Sequence, residues 1–197
     1  MNFSANLISS PLVTGIIIAV VVVIVIAVIA WYISTRNNFV RLINNCEESL
    51  SGIDVYLKKR YDLIPNLVET VKGYTKHEGD TLERVISARN RAMSASGEGK
   101  VQAENELSGT LKSLFALTEA YPELKADGQF LSLQNQLKSI ENDIAQARKY
   151  YNGNVKAYNN AIAMFPASII SGSMKLEKRS YFEITNDAER ENVKVSF

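Results

Sequence analysis

Leu12 to Ile33 reads LVTGIIIAVVVVIVIAVIAWYI, 22 residues without a charged side chain, 14 of them Val or Ile. As a helix this stretch is about 33 Å long, against a hydrocarbon core of about 30 Å; as a strand it would reach about 70 Å. Val and Ile each favour insertion by roughly 0.3–0.6 kcal/mol, so fourteen supply about 4–8 kcal/mol with no charge opposing them. Pro11 suits a first helical position and Ser9 or Ser10 the N-cap. Trp31 and Tyr32 fall where an interfacial aromatic belt belongs. We read 12–33 as a transmembrane helix and 1–11 as a short extracytoplasmic tail. A cleavable signal peptide is the competing reading, since Ala27 to Ala30 has the look of a cleavage site. The lack of a basic residue before the span and the length of its core oppose it.

No basic residue precedes the span, whereas Arg36 and Arg41 follow it. The positive-inside rule then puts the N-terminus outside and the rest of the chain in the cytoplasm, as a single-pass protein. Gly15, Ala19, Val23 and Ala27 recur every four residues, a small-residue stripe suited to helix packing.

All 22 basic and 21 acidic side chains come after residue 35, leaving a net charge of +1. That balance gives no electrostatic case for nucleic acid. One Cys excludes an internal disulfide, and one Cys with one His cannot complete a zinc site within the chain.

From Phe39 the apolar period becomes helical. Positions 39, 43, 46, 50, 53, 57, 60, 64, 67 and 71 read Phe, Ile, Cys, Leu, Ile, Leu, Arg, Ile, Leu, Val, a coiled-coil-like seam broken only by Arg60. Pro65 predicts a kink near Tyr61–Ile64. Asp80 with Glu83 reads as a capping box opening a short helix with Leu82, Val85, Ile86, Arg89 and Met93 on one face. Ser94–Gly99 (SASGEG) reads as a loop. Leu107, Leu111, Leu114, Phe115, Thr118 and Tyr121 mark a third helix stopped by Pro122. Asp127 caps the last, whose stripe runs 130, 133, 137, 140, 144, 147, 151, 154, 158, 161, 165 before Pro166. Val193, Val195 and Phe197 alternate as in a short extended segment. The fold class is therefore all-α: the membrane helix, an elongated antiparallel bundle over 36–166, and a C-terminal tail over 167–197.

The candidates for chemistry have plainer readings. Cys46 sits in the seam as a small hydrophobe. His77 stands alone in a polar turn. Gly97-Glu98-Gly99-Lys100 lacks the first glycine, the Ser/Thr and the preceding strand of a phosphate loop. Lys58-Lys59-Arg60 reads as a solvated basic face, with contact to anionic lipid or an acidic surface as the alternative. No catalytic, cofactor-binding or metal-ligating residue is predicted.

Two sets of residues go beyond pattern. The first is Ile53–Val68 (IDVYLKKRYDLIPNLV) followed by Glu69–Glu78 (ETVKGYTKHE). It contains Asp54, Arg60, Tyr61, Asp62, Pro65 and Asn66. The second comprises Ala103–Leu107 (AENEL), Glu119–Ala126 (EAYPELKA), Ala147-Arg148, Tyr151-Asn152, Tyr158-Asn159 and Phe165-Pro166. In order and spacing these resemble the LemA family of bacterial membrane proteins, with Leu50, Lys175-Leu176 and Val193 departing from its usual Trp, Gly-Phe and Pro. The resemblance implies an exported N-terminus, one span of the bacterial cytoplasmic membrane, and a cytoplasmic helical bundle. It transfers no reaction, substrate or cofactor.

The expectation is a membrane-anchored scaffold that is not an enzyme and acts by homo-oligomeric assembly. The alternative is an adaptor or signalling component binding another protein through its helices. Its expected partners are the lipid bilayer and itself. The oligomer expectation rests on apolar stretches left uncovered around Phe39, Ile43, Cys46, Tyr158 and Phe165. A tail folding back over the seams is the alternative.

Overall fold

The computed structural model describes residues 11–182 other than Lys76. Helix α1 spans Pro11–Lys72, α2 Gly79–Ser94, α3 Glu98–Ala116, α4 Pro122–Ala126, α5 Gly128–Ala163 and α6 Ala167–Ser173. A 3-10 turn, Leu117–Glu119, lies between α3 and α4. Among the described residues 86% are helical and no strand occurs, so the fold is all-α. The alternation at Val193–Phe197 and the proposed cap at Ser9 or Ser10 lie outside the described residues.

The apolar stretch and the seam that follows it form a single helix. Ser34–Asn38, which join them, contain neither Gly nor Pro, so nothing interrupts the backbone hydrogen-bond series. The chain divides into two compact units: the described parts of Met1–Cys46 with Asn154–Arg179, and of Glu47–Gly153 with Ser180–Phe197. We refer to them as the terminal and central units.

In the central unit α1 buries Ile53, Leu57, Arg60, Ile64, Leu67 and Val71, the expected seam including its one charged member. Leu50 is exposed and Ser49 is buried instead. Helix α2 begins at Gly79, one residue before the expected cap. The N-cap residue is Glu78, which makes no side-chain capping bond, and Asp80 sits in the first turn, where the helix dipole favours an acid. The buried face of α2 is Leu82, Val85, Ala88 and Ala92; Met93 is exposed. The expected loop shortens to residues 95–97, because α3 starts at Glu98. Asp127 does cap α5: its Oδ1 accepts the Phe130 N–H at 2.6 Å. That bond, with one from the Tyr74 hydroxyl at 2.8 Å, holds the Asp127 carboxyl below the usual carboxylate range.

In the terminal unit Phe39, Cys46, Val155, Tyr158, Ile162 and Ile170 are buried. Val155 and Ile162 take the places expected for Asn154 and Ala161. A straight helix lags a seven-residue repeat by about 20° per heptad, so far along α5 the buried face passes to the next residue. The burial of Phe39, Cys46 and Tyr158 overturns the expectation that they lie uncovered. Residues 167–179 of the expected tail belong to the same unit. Of the expected uncovered residues only Phe165, 81% exposed, stands open.

Candidate functional site

Arg60 is the departure from pattern around which the central unit is built. Its side chain is wholly buried. One terminal nitrogen pairs with Glu104, itself buried on α3; the other reaches Glu141 of α5 at 2.5 Å and Ser108 at 3.0 Å. The Tyr61 hydroxyl donates to the second oxygen of Glu104 and lies 3.3 Å from the Ala92 carbonyl. Burial first, then the bond to Glu104, raises the Tyr61 pKa well above its ordinary value. Arg148 adds a second guanidinium, its pKa lowered by burial and then by the charge of Arg60, while Glu104 and Glu141 oppose that shift. Two guanidiniums and two carboxylates thus act on one another in the central unit, while the Nε atoms of Arg60 and Arg148 are buried without a hydrogen-bond partner. The reading of Lys58-Lys59-Arg60 as a solvated face fails for Arg60, whereas Lys58 pairs with Asp62 at 2.8 Å on the surface and Lys59 lies over the Tyr56 ring.

Pro65 leaves a second trace. A proline nitrogen has no hydrogen to give the carbonyl four residues back. Here that carbonyl belongs to Tyr61, and Arg89 Nε of α2 donates to it at 2.8 Å. An arginine side chain replaces the missing backbone bond, and α1 continues to Lys72. Asp54 accepts an ion pair from Lys100 at 2.6 Å, which gives the lysine of the GEGK stretch a protein partner. Asn66 is exposed, and its carbonyl accepts the Thr70 hydroxyl. His77 is exposed in the turn after α1. Among the described residues no group of three His, Cys, Asp or Glu is placed to hold a metal.

The paired Tyr-Asn dipeptides of α5 hold the chain beyond α6. In the terminal unit Asn159 accepts the Arg179 N–H at 2.9 Å and donates to the Arg179 carbonyl at 2.9 Å; the Tyr158 hydroxyl donates to the Glu177 carbonyl at 2.9 Å. In the central unit Asn152 takes the Phe182 N–H at 2.8 Å and gives to its carbonyl at 3.2 Å, and the Tyr151 hydroxyl donates to the Ser180 carbonyl at 3.2 Å. Each asparagine amide satisfies both backbone groups of one residue, as a neighbouring strand would. Seven helical residues rise about 10.5 Å and three extended residues about 10 Å, so a heptad of Tyr-Asn suits a held residue at every third position. Phe182 is buried, edge-on to Tyr151 and beneath the Arg148 guanidinium at 4.7 Å.

Trp31, Tyr32 and Arg36 are exposed on α1, as are Gly15, Ala19 and Ala27. A groove of about 570 Å³ follows them, lined by Ser34, Thr35, Asn37, Asn38, Arg41 and Ala167. Two further grooves, of about 480 and 310 Å³, lie along α2 and between α2 and α3. None of the three is lined by Arg60, Glu104 or Glu141.

A family model described as the LemA family matches residues 49–197. The chain belongs to the LemA family. Its match takes in both the Arg60–Glu104 network and the Tyr-Asn clamps. Among its relatives, Protein LemA of Metamycoplasma hominis is 22% identical over 167 residues, 84% of this chain and 76% of that protein. Magnetosome protein MamQ of Magnetospirillum gryphiswaldense is 22% identical over 194 residues, 85% of this chain and 71% of that one. Magnetosome protein MamQ 2 of Paramagnetospirillum magneticum is 22% identical over 184 residues, 80% and 68%. Among its described residues this LemA-family chain is helical and carries one helix long and apolar enough to cross a membrane.

Proposed function

We propose that this LemA-family protein is a non-catalytic scaffold anchored in the bacterial cytoplasmic membrane by residues 12–33. Its N-terminus is outside, its helical units are cytoplasmic, and copies associate through the membrane helix. The observation that carries the reading is that the apolar stretch of α1 has no protein cover at all, while the buried charges Arg60 and Glu104 pair with each other, and Arg60 with Glu141, within the chain. An enzyme needs convergent polar groups facing a pocket; Arg60, Tyr61, Glu104 and Glu141 instead bond one another. Burial of Phe39, Cys46 and Tyr158 removes the cytoplasmic seams as a contact between copies, so association falls to the Gly15/Ala19/Ala27 face. In a Cys46→Ser background, a cysteine introduced at Ser4 should react with an impermeant thiol reagent in intact cells and one at Ser96 should not. The reverse pattern would sink the topology. Light scattering on detergent-solubilised full chain should give a multiple of 21.9 kDa, reduced by Gly15→Ile; a monomer mass in several mild detergents would end the assembly reading.

A further inference from the structure

We propose that the turn between α5 and α6 is a second membrane contact, with Met164, Phe165 and Ile169 seated in the headgroup–acyl boundary beside α1. Phe165 is the most exposed large apolar residue among those described, at 81%, and Met164 and Ile169 are each 64% exposed. Three such side chains, two on the turn and one in the first turn of α6, form a patch that water solvates poorly. Its position supplies the occupant. Ala167, inside the patch, lines the same groove as Ser34, Thr35, Asn38 and Arg41, the residues that closely follow Trp31 and Tyr32. The turn therefore stands level with the cytoplasmic end of the apolar stretch, where the bilayer interface lies if α1 spans the membrane. The inference rests on that reading.

Charge agrees with this placement. Between Lys156 and Lys175 the chain carries no ionisable group except the hydroxyl of Tyr158, which is buried and bonded to the Glu177 carbonyl. The lysines bounding the stretch are both exposed, and long basic side chains reach to anionic headgroups while their stems lie along apolar surface. Ser171, at the inner side of α6, is tied to the Ile162 carbonyl at 2.7 Å, which fixes the helix after the turn against α5 and leaves Ile169 outward. The result is an amphipathic turn held rigidly at the depth, about 5–10 Å into the boundary, at which interfacial apolar residues rest.

The chain has one tryptophan, which makes the test direct. The full-length protein is reconstituted into phosphatidylcholine–phosphatidylglycerol vesicles whose acyl chains are brominated either near the headgroup or near the methyl end. Trp31 of the unsubstituted chain reports the span; the single indole of Trp31→Phe/Phe165→Trp reports the turn. We expect both to lose emission, the second more strongly with bromine near the headgroup, together with a blue shift relative to detergent-free buffer. Quenching of Trp31 without quenching at position 165 would overturn the second contact and leave the span standing. Absence of both would overturn the span and the turn together. Phe165 is exposed, so its replacement leaves the packing intact, and the far-ultraviolet helical signal verifies this.

Discussion

Arg60 shows what a single charged residue does in an apolar seam. With both Arg60 and Glu104 out of water, neither is tolerable without the other, and removing one leaves the partner buried and uncompensated. Arg60→Met should lower stability by about 3–5 kcal/mol, and Glu104→Gln by less, since the amide keeps part of the bonding. Arg60→Met with Glu104→Met should recover part of the loss, and a double-mutant cycle on thermal unfolding of the solubilised chain measures the coupling. Tyr61 carries a signature in pH. Its folded pKa lies above the ordinary tyrosine value near 10, so its contribution is fully present below about pH 10 and fades as the pH rises from there toward the folded pKa. Tyr61→Phe should abolish that portion of the alkaline fall, which the difference between the two stability–pH curves reveals; identical slopes above pH 10 would refute it.

At the scale of elements, the Arg89 side chain and the asparagine amides of α5 stand in for backbone partners. Arg89→Leu should destabilise the chain, and less so in a Pro65→Ala background, where the backbone N–H restored at position 65 regains the Tyr61 carbonyl. A coupling of about 0.5–3 kcal/mol is expected, and additivity would refute the replacement. Asn159→Ala should speed trypsin cleavage after Lys178 and Arg179, followed by mass spectrometry of the released C-terminal peptide, because the backbone held at Arg179 becomes free to enter a protease. These elements also mark the limits of sequence reading. The apolar period located α1 and α5 because hydrophobic spacing is a local signal. Arg60 stood out as the break in the stripe, and Glu104, three residues before Leu107, occupies the matching place on α3. Extending that stripe backwards would have paired them. Arg89 carried no such signal, since its partner is a backbone carbonyl, which every residue has. The Tyr-Asn heptad was visible as a motif, yet its partners are main-chain groups of an irregular segment, and periodicity does not reach those.

For the whole molecule, the terminal unit joins residues far apart in the chain: the Asn154 amide donates to the Asn45 carbonyl across 109 positions. Cys46 gives that closure a readout. In the full chain it is buried and should resist a maleimide under native conditions. A chain stopped after Gly153 lacks every later residue of the unit, and its Cys46 should label at a rate near that of the denatured protein. Equal protection in both chains would show that residues 154–179 do not cover it. This arrangement sets an order of events on the ribosome. Translation from Cys46 to Asn154 takes about 5–20 s at 5–20 residues per second, and throughout that interval Phe39 and Cys46 lack the later residues that complete their unit. The apolar stretch is made first, but the unit it belongs to is completed only by residues 154–179. A stalled or prematurely ended polypeptide is thereby left with Phe39 and Cys46 uncovered, in the open state that quality-control proteases recognise.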